Sequence, residues 1–217
     1  MGVTVTKEDV LEAAKGMLTK GLVSGTAGNV SGRIGEDAIC LTPSSVPYET
    51  MTLDDLVVTD LAGNVLEGTR GPTSEKALHL ACFRLYPEVG GVIHCHAAHA
   101  TMFALVREPI PAIIEEVVVY LGGDVPVCEY KPTGSDALGD EAARNLAERS
   151  ACMLANHGIV TVGKNPDKAL HNAELVERTA MIVWGARALA KPLHPLPDKT
   201  NTDMAGVYKL LRENPDL

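Results

Sequence analysis

The sequence predicts an α/β protein with a mainly antiparallel central sheet flanked by helices. Short alternating segments arrive in hairpin pairs, which makes antiparallel neighbours. Single amphipathic helices are interspersed with single strands, so the helices cover a sheet rather than one another. No internal repeat, low-complexity tract or long linker interrupts the 217 residues, and a single domain over residues 1–217 accommodates them.

The elements follow in order. Thr6 reads as the N-cap of a helix on which Val10, Leu11, Ala14, Met17 and Leu18 form one apolar stripe, ended by Gly21. A loop of small residues, 24–31, comes next. Residues 30–34 and 38–41 form one hairpin, and residues 57–60 and 65–67 a second across Leu61-Ala62-Gly63-Asn64. Residues 73–86 read as a helix, 92–94 as a strand, 99–106 as a helix and 125–130 as a strand. Residues 135–148 are an amphipathic helix that Ser135 or Asp136 caps. Short strands at 151–154 and 159–162 flank Asn156-His157-Gly158, and a long helix over 167–190 stops at Lys191-Pro192.

Composition excludes several functions. A net charge of −9 argues against a general nucleic-acid surface, though a small anionic ligand needs only local donors. No apolar run is long enough to span a membrane, and the N-terminus has no signal-peptide core. The five cysteines are scattered, with no Cys-x-x-Cys pair, so neither a disulfide framework nor a thiolate zinc site is indicated and a reducing cytoplasm is expected. A single Trp184 leaves little for base or sugar stacking.

The chemistry concentrates in Gly91-Val92-Ile93-His94-Cys95-His96. On a strand, residues i and i+2 share a face, so His94 and His96 project together while Cys95 points the other way. His157 ends another apolar run, and three imidazoles around an open position are a catalytic zinc arrangement. For any single histidine a satisfied hydrogen-bonding role is the better reading; for this pair with a third, metal is. His99 falls beyond the strand and changes face, so a structural role or support of a neighbouring ligand is expected of it. His79, His171 and His194 sit in helical or tail contexts, where the structural role holds. Glu75, after Pro72-Thr73-Ser74 at a helix start, is the candidate base; from spacing alone an ordinary first-turn glutamate is slightly favoured. The loops at 25–29, 42–45 and 73–74 offer backbone N–H groups and hydroxyls for a phosphate, while no nucleotide-binding glycine motif is present.

Taken together, five segments in order resemble the class II aldolase/adducin family, specifically its fuculose-phosphate aldolase branch. They are Gly25-Thr26-Ala27-Gly28-Asn29-Val30-Ser31, Thr42-Pro43-Ser44-Ser45-Val46-Pro47-Tyr48, Pro72-Thr73-Ser74-Glu75, His94-Cys95-His96 and Asn156-His157-Gly158. The resemblance implies a three-layer α/β/α fold, with one zinc per subunit on His94, His96 and His157. Glu75 is implied as the acid/base that also approaches the metal, its pKa moved towards neutrality by partial burial. Gly28, Asn29, Ser44, Ser45, Thr73 and Ser74 are implied as the phosphate site. The implied reaction is reversible cleavage of a small ketose 1-phosphate to dihydroxyacetone phosphate and an aldehyde, in a homotetramer with active sites between subunits.

The chain departs from that branch after Ile110-Pro111-Ala112-Ile113, where Glu115 stands in place of a tyrosine acid. Glu115 is therefore a second candidate catalytic residue, and it resembles the methylthioribulose-1-phosphate dehydratase branch. Tyr120 replaces the missing phenol only if its loop folds back, and Tyr208 lies in a divergent tail. Alternatives are thus a dehydratase or epimerase on the same scaffold, or an adducin-like interaction domain without chemistry. The family's epimerases resemble the aldolases but carry aspartate where this chain has Glu75, which counts against an epimerase. The complete ligand set counts against the interaction domain.

Overall fold

A computed structural model describes residues 5–214; the ends of the expected 1–217 domain, residues 1–4 and 215–217, lie outside the described residues. Eight strands form one sheet: β1 (Asn29–Gly35), β2 (Ala38–Leu41), β3 (Val57–Thr59), β4 (Val65–Glu67), β5 (Gly91–Cys95), β6 (Val127–Cys128), β7 (Ala151–Leu154) and β8 (Gly158–Gly163). Their order across the sheet is β4-β3-β2-β1-β5-β8-β7-β6. Both expected hairpins are present.

The sheet is mixed, which corrects the expectation of a mainly antiparallel one. β6 runs parallel to β7. The helix α5 (Asp136–Asn145) connects these two strands, and a parallel neighbour requires such a crossover. The expected strand over 125–130 shortens to Val127–Cys128. Ser135, not Asp136, caps α5 by accepting from the Leu138 N–H.

Alternation along the strands creates two cores, and the helices divide between them. One core holds Ile93 and Cys95 of β5 with residues of α1 (Lys7–Thr19), α3 (Ala98–Val106), α4 (Glu115–Leu121) and α6 (Pro166–Ala188). The other holds Val92 with Leu78, Cys82 and Phe83 of α2 (Lys76–Leu85) and Leu138 and Ala142 of α5. The result is a three-layer α/β/α fold. Thr6 closes a capping box on α1, and Asn165 caps α6 with Pro166 in its first turn.

Two helices were not expected. α4 carries three consecutive valines, whose β-branching reads as strand, and Gly122 in the left-handed region ends it. α7 (Asp198–Glu213) packs against α4 and buries Tyr208. All five cysteines are free and buried. No helix of the described residues is long and apolar enough to cross a membrane.

Candidate metal centre and active site

β5 lies in the middle of the sheet, with His94 opposite Asn29 of β1 and Val160 of β8. His94 is fully buried, and its Nδ1 is 2.9 Å from the Ile159 carbonyl oxygen. A carbonyl only accepts, so Nδ1 carries a proton and Nε2 is the nitrogen turned towards the site. His96 follows the last residue of β5, and its Nε2 is 3.2 Å from His94 Nε2. His157 lies in the turn between β7 and β8, behind Asn156 at φ +57°. Arg107 donates to the Asn156 side chain and fastens this turn.

One ligand atom from each histidine falls within 4.8 Å of the others. Tetrahedral zinc with bonds of about 2.0–2.1 Å to nitrogen spaces its ligand atoms roughly 3.3 Å apart, which the His94–His96 distance matches. Glu75 completes the cluster. It is the N-cap of α2, but its side chain makes no capping hydrogen bond. Instead Oε2 lies 3.2 Å from His94 Nε2 and accepts from Asn29 Nδ2 at 3.0 Å. Oε1 lies 3.6 Å from His157 Nε2 and is buried without a hydrogen-bond partner. The ordinary first-turn glutamate is thereby corrected, because the carboxylate turns away from the helix axis towards the imidazoles. The Nε2 atoms of His94 and His96 converge near a buried carboxylate oxygen that has no hydrogen bond, an arrangement that a bound cation relieves. The residues present fit a divalent metal.

Burial pushes the Glu75 carboxyl upward. The hydrogen bond and charge of His94, with Asn29 and His157 adding to them, outweigh that and hold it at about 2. Without metal, the expected movement towards neutrality is not seen. Burial lowers His157 to about 4 and His96 below its ordinary value, each with neighbouring His94 charge adding. Both are thus neutral at physiological pH, the form that binds metal.

The expected phosphate residues divide. Ser44 Oγ accepts from the Ser74 N–H at 3.1 Å and donates to the Pro72 carbonyl at 3.2 Å, joining two of the small-residue loops. Ser44, Ser45 and Ser74 are exposed, and Ser45 adopts φ +61°. Thr73 is buried and accepts from the Glu75 N–H. Gly28 has φ +76°, and a β-carbon there would lie 2.8 Å from the His94 carbonyl oxygen, so only glycine fits. Tyr48 holds this loop by donating to the Gly28 carbonyl at 2.6 Å. Asn29, in contrast, is buried with its amide engaged by Glu75 and His79. Glu115 is exposed in the first turn of α4 and touches neither the histidines nor Glu75 within this chain.

His79 was expected to be merely structural, yet it joins the network behind Glu75. Glu75 and His79 are four apart at the start of α2, and Asn29 and Ser31 are two apart on β1. Both spacings place side chains on one face and were available in the sequence. His99 takes the structural of its two expected roles: at the start of α3 its ring and backbone N–H, with the Ala100 N–H, bond to Glu177 of α6.

Residues 8–184 match the family Class II Aldolase and Adducin N-terminal domain, and the chain belongs to it. A curated relative, L-ribulose-5-phosphate 4-epimerase UlaF of Salmonella paratyphi B, is 36% identical over 204 residues, covering 88% of this chain and 90% of the relative. The protein of the same name in Salmonella typhi matches equally. Among solved structures, an L-fuculose 1-phosphate aldolase superposes with a TM-score of 0.88 at 33% identity, covering 96% of this chain and 100% of that one. YgbL of Klebsiella pneumoniae, titled a putative aldolase/epimerase/decarboxylase, gives a TM-score of 0.83 at 25% identity, covering 91% and 96%.

These relatives correct the expected reaction. The curated proteins matching at 36% identity across most of the chain are epimerases, so cleavage of a ketose 1-phosphate gives way to the epimerase alternative. Glu75, one methylene longer than the aspartate of that branch, had weighed against this alternative. The identity to these relatives, which extends over 88% of the chain, outweighs that single difference.

Proposed function

We propose that the protein is a metal-dependent sugar-phosphate epimerase, inverting C4 of L-ribulose 5-phosphate or a ketopentose phosphate of that class. The observation that carries this reading is the 36% identity to 4-epimerases over 88% of the chain. The convergence of His94, His96, His157 and Glu75 supplies the chemistry it needs.

In a 2-ketose, C4 is two carbons from the carbonyl, and its C–H is not acidified. Inversion there without an oxidant proceeds through the C3–C4 bond. Glu75 takes the proton from the C4 hydroxyl, the C3–C4 electron pair moves towards the carbonyl, and the chain separates into an enediolate and an aldehyde bearing the phosphate. The aldehyde turns, the bond re-forms on its other face, and a proton returns to the new C4 oxygen. A zinc ion on His94, His96 and His157 would act as a Lewis acid for the charge that develops at the carbonyl oxygen. This is why an aldolase scaffold serves an epimerase.

Ser44, Ser45 and Ser74, with Gly28 and Thr73 shaping their loops, are the residues we assign to the substrate phosphate; the joining of these loops by Ser44 supports that role. The turned aldehyde presents its oxygen away from Glu75, so a second proton carrier is required. Glu115 is the carboxylate assigned to it, reaching a neighbouring subunit's site in a homotetramer. Exposed Met102, Leu105 and Val106 on α3 and Trp184 on α6 support such an assembly. Incubation of the zinc-loaded protein with L-ribulose 5-phosphate, followed by carbon NMR, tests the reaction. The C4 epimer is the expected product; accumulation of separate two- and three-carbon fragments, or no conversion, overturns it.

A further inference from the structure

A line of four buried side chains runs behind the metal centre. Ser31 Oγ is 2.6 Å from His79 Nδ1, His79 Nε2 is 2.5 Å from Asn29 Oδ1, and Asn29 Nδ2 is 3.0 Å from Glu75 Oε2. Ser31 and His79 are wholly buried, and Asn29 and Glu75 are 4% and 6% exposed, so water does not substitute for any member.

The donors and acceptors fit in only one direction. The Glu75 carboxylate accepts, so the Asn29 amide turns its NH2 group towards it and its oxygen towards His79. That oxygen requires a donor, so His79 is protonated on Nε2. Its Nδ1 is then an acceptor, and the Ser31 hydroxyl donates to it. Reversing the amide would set its oxygen against a carboxylate oxygen and its NH2 against an N–H, leaving buried groups unsatisfied.

We infer that His79 is a positioning residue, whose Nε2 proton fixes the orientation of the Asn29 amide and thereby the rotation of the Glu75 carboxylate. Oε2 is held by Asn29, and Oε1 is left without a hydrogen bond, 3.6 Å from His157. The inference rests on the proposed role of Glu75 as proton carrier. It also gives Asn29, expected at the phosphate site, a hold on Glu75 through its amide.

Glutamine and asparagine at position 79 separate positioning from packing. The glutamine NH2 reaches the place of Nε2 and can donate to Asn29, whereas asparagine reaches only the place of Nδ1. His79→Gln is expected to retain kcat within about threefold. His79→Asn is expected to lose roughly 10–100-fold in kcat, the range for groups that orient a metal site's residues. KM and metal content should differ little between them. Equal kcat values in the two variants overturn the inference.

Nitrogen-15 NMR of the unsubstituted full-length protein supplies a readout independent of activity and of variant folding. The neutral His79 ring with its proton on Nε2 is expected; a proton on Nδ1 overturns the inference. If Glu75→Gln remains fully active, the functional reading fails, while the NMR result still decides the relay. If Glu75→Gln is inactive and the two position-79 variants match, the relay alone fails.

Discussion

Gly158 lies so close to Cys95 that a β-carbon on it would stand 2.4 Å from the Cys95 carbonyl oxygen and 3.0 Å from His96 Cδ2. The strands carrying or flanking all three histidines are therefore held at a separation that only glycine allows. Gly158→Ala forces β5 and β8 apart where His96 leaves the sheet. Destabilisation of about 1–3 kcal/mol is expected from overpacking of this kind, with weaker metal retention. Urea unfolding with metal analysis of the same samples checks both; unchanged stability would show that the strands separate freely.

Glu177 secures the segment just beyond His96. Its two oxygens accept from the His99 and Ala100 N–H groups at 3.0 Å each and bond to the His99 ring at 2.7 Å. A carboxylate at a helix N-terminus is favoured by the helix dipole. Glu177→Ala should lower stability by about 1–2 kcal/mol, the upper range for a lost cap. Denaturant melts measure this, and a change below a few tenths would dismiss the clamp.

Acid should weaken the metal-free protein for a definable reason. Burial, with neighbouring His94 charge, holds His79 at about 3 and His157 at about 4, against an ordinary value of 6.5. Below about pH 6.5 the unfolded chain takes up protons that the folded chain refuses, so stability is full above that pH and falls as pH drops towards 4 and 3. Glu75, held at about 2 against an ordinary 4.5, adds stability above 4.5 that is lost as pH falls through 2. Denaturation midpoints of metal-free protein should therefore decline from about pH 7 downward. A flat midpoint to about pH 4 would contradict this.

The two proposed proton carriers separate by half-reaction. Glu75→Gln should abolish C3–C4 cleavage, while Glu115→Gln should retain cleavage and lose inversion, with each lost rate falling by about 100-fold or more. Trapping of the aldehyde fragment from Glu115→Gln protein measures the surviving step. Unimpaired epimerisation in that variant would remove Glu115 from the mechanism.

Much of this arrangement was open to reading in the sequence, and the gaps have physical causes. Alternation and capping disclosed both hairpins and α1, α5 and α6, because those segments satisfy their own local rules. α4 was hidden by Val117, Val118 and Val119, which favour a strand until packing in the core overrides them. The i, i+2 spacing of His94 and His96 announced the cluster, and the two side chains converge although His96 stands one residue past the end of β5. His79 looked structural because its bonds to Asn29 and Ser31 depend on α2 lying against β1, a tertiary relation that its spacing from Glu75 does not by itself encode. The contacts of Asn29 were hidden for the same reason: the loop was evident, but not the carboxylate and imidazole on either side of its amide.

The most direct test measures epimerase activity and bound zinc together as metal-free protein is titrated with the ion. Activity on L-ribulose 5-phosphate should rise in proportion to zinc, level off at one ion per chain and disappear on chelation, and a variant with His94, His96 and His157 all replaced by alanine should take up no stoichiometric zinc. Full activity without metal, or stoichiometric binding by the triple variant, would contradict a metal centre on these histidines.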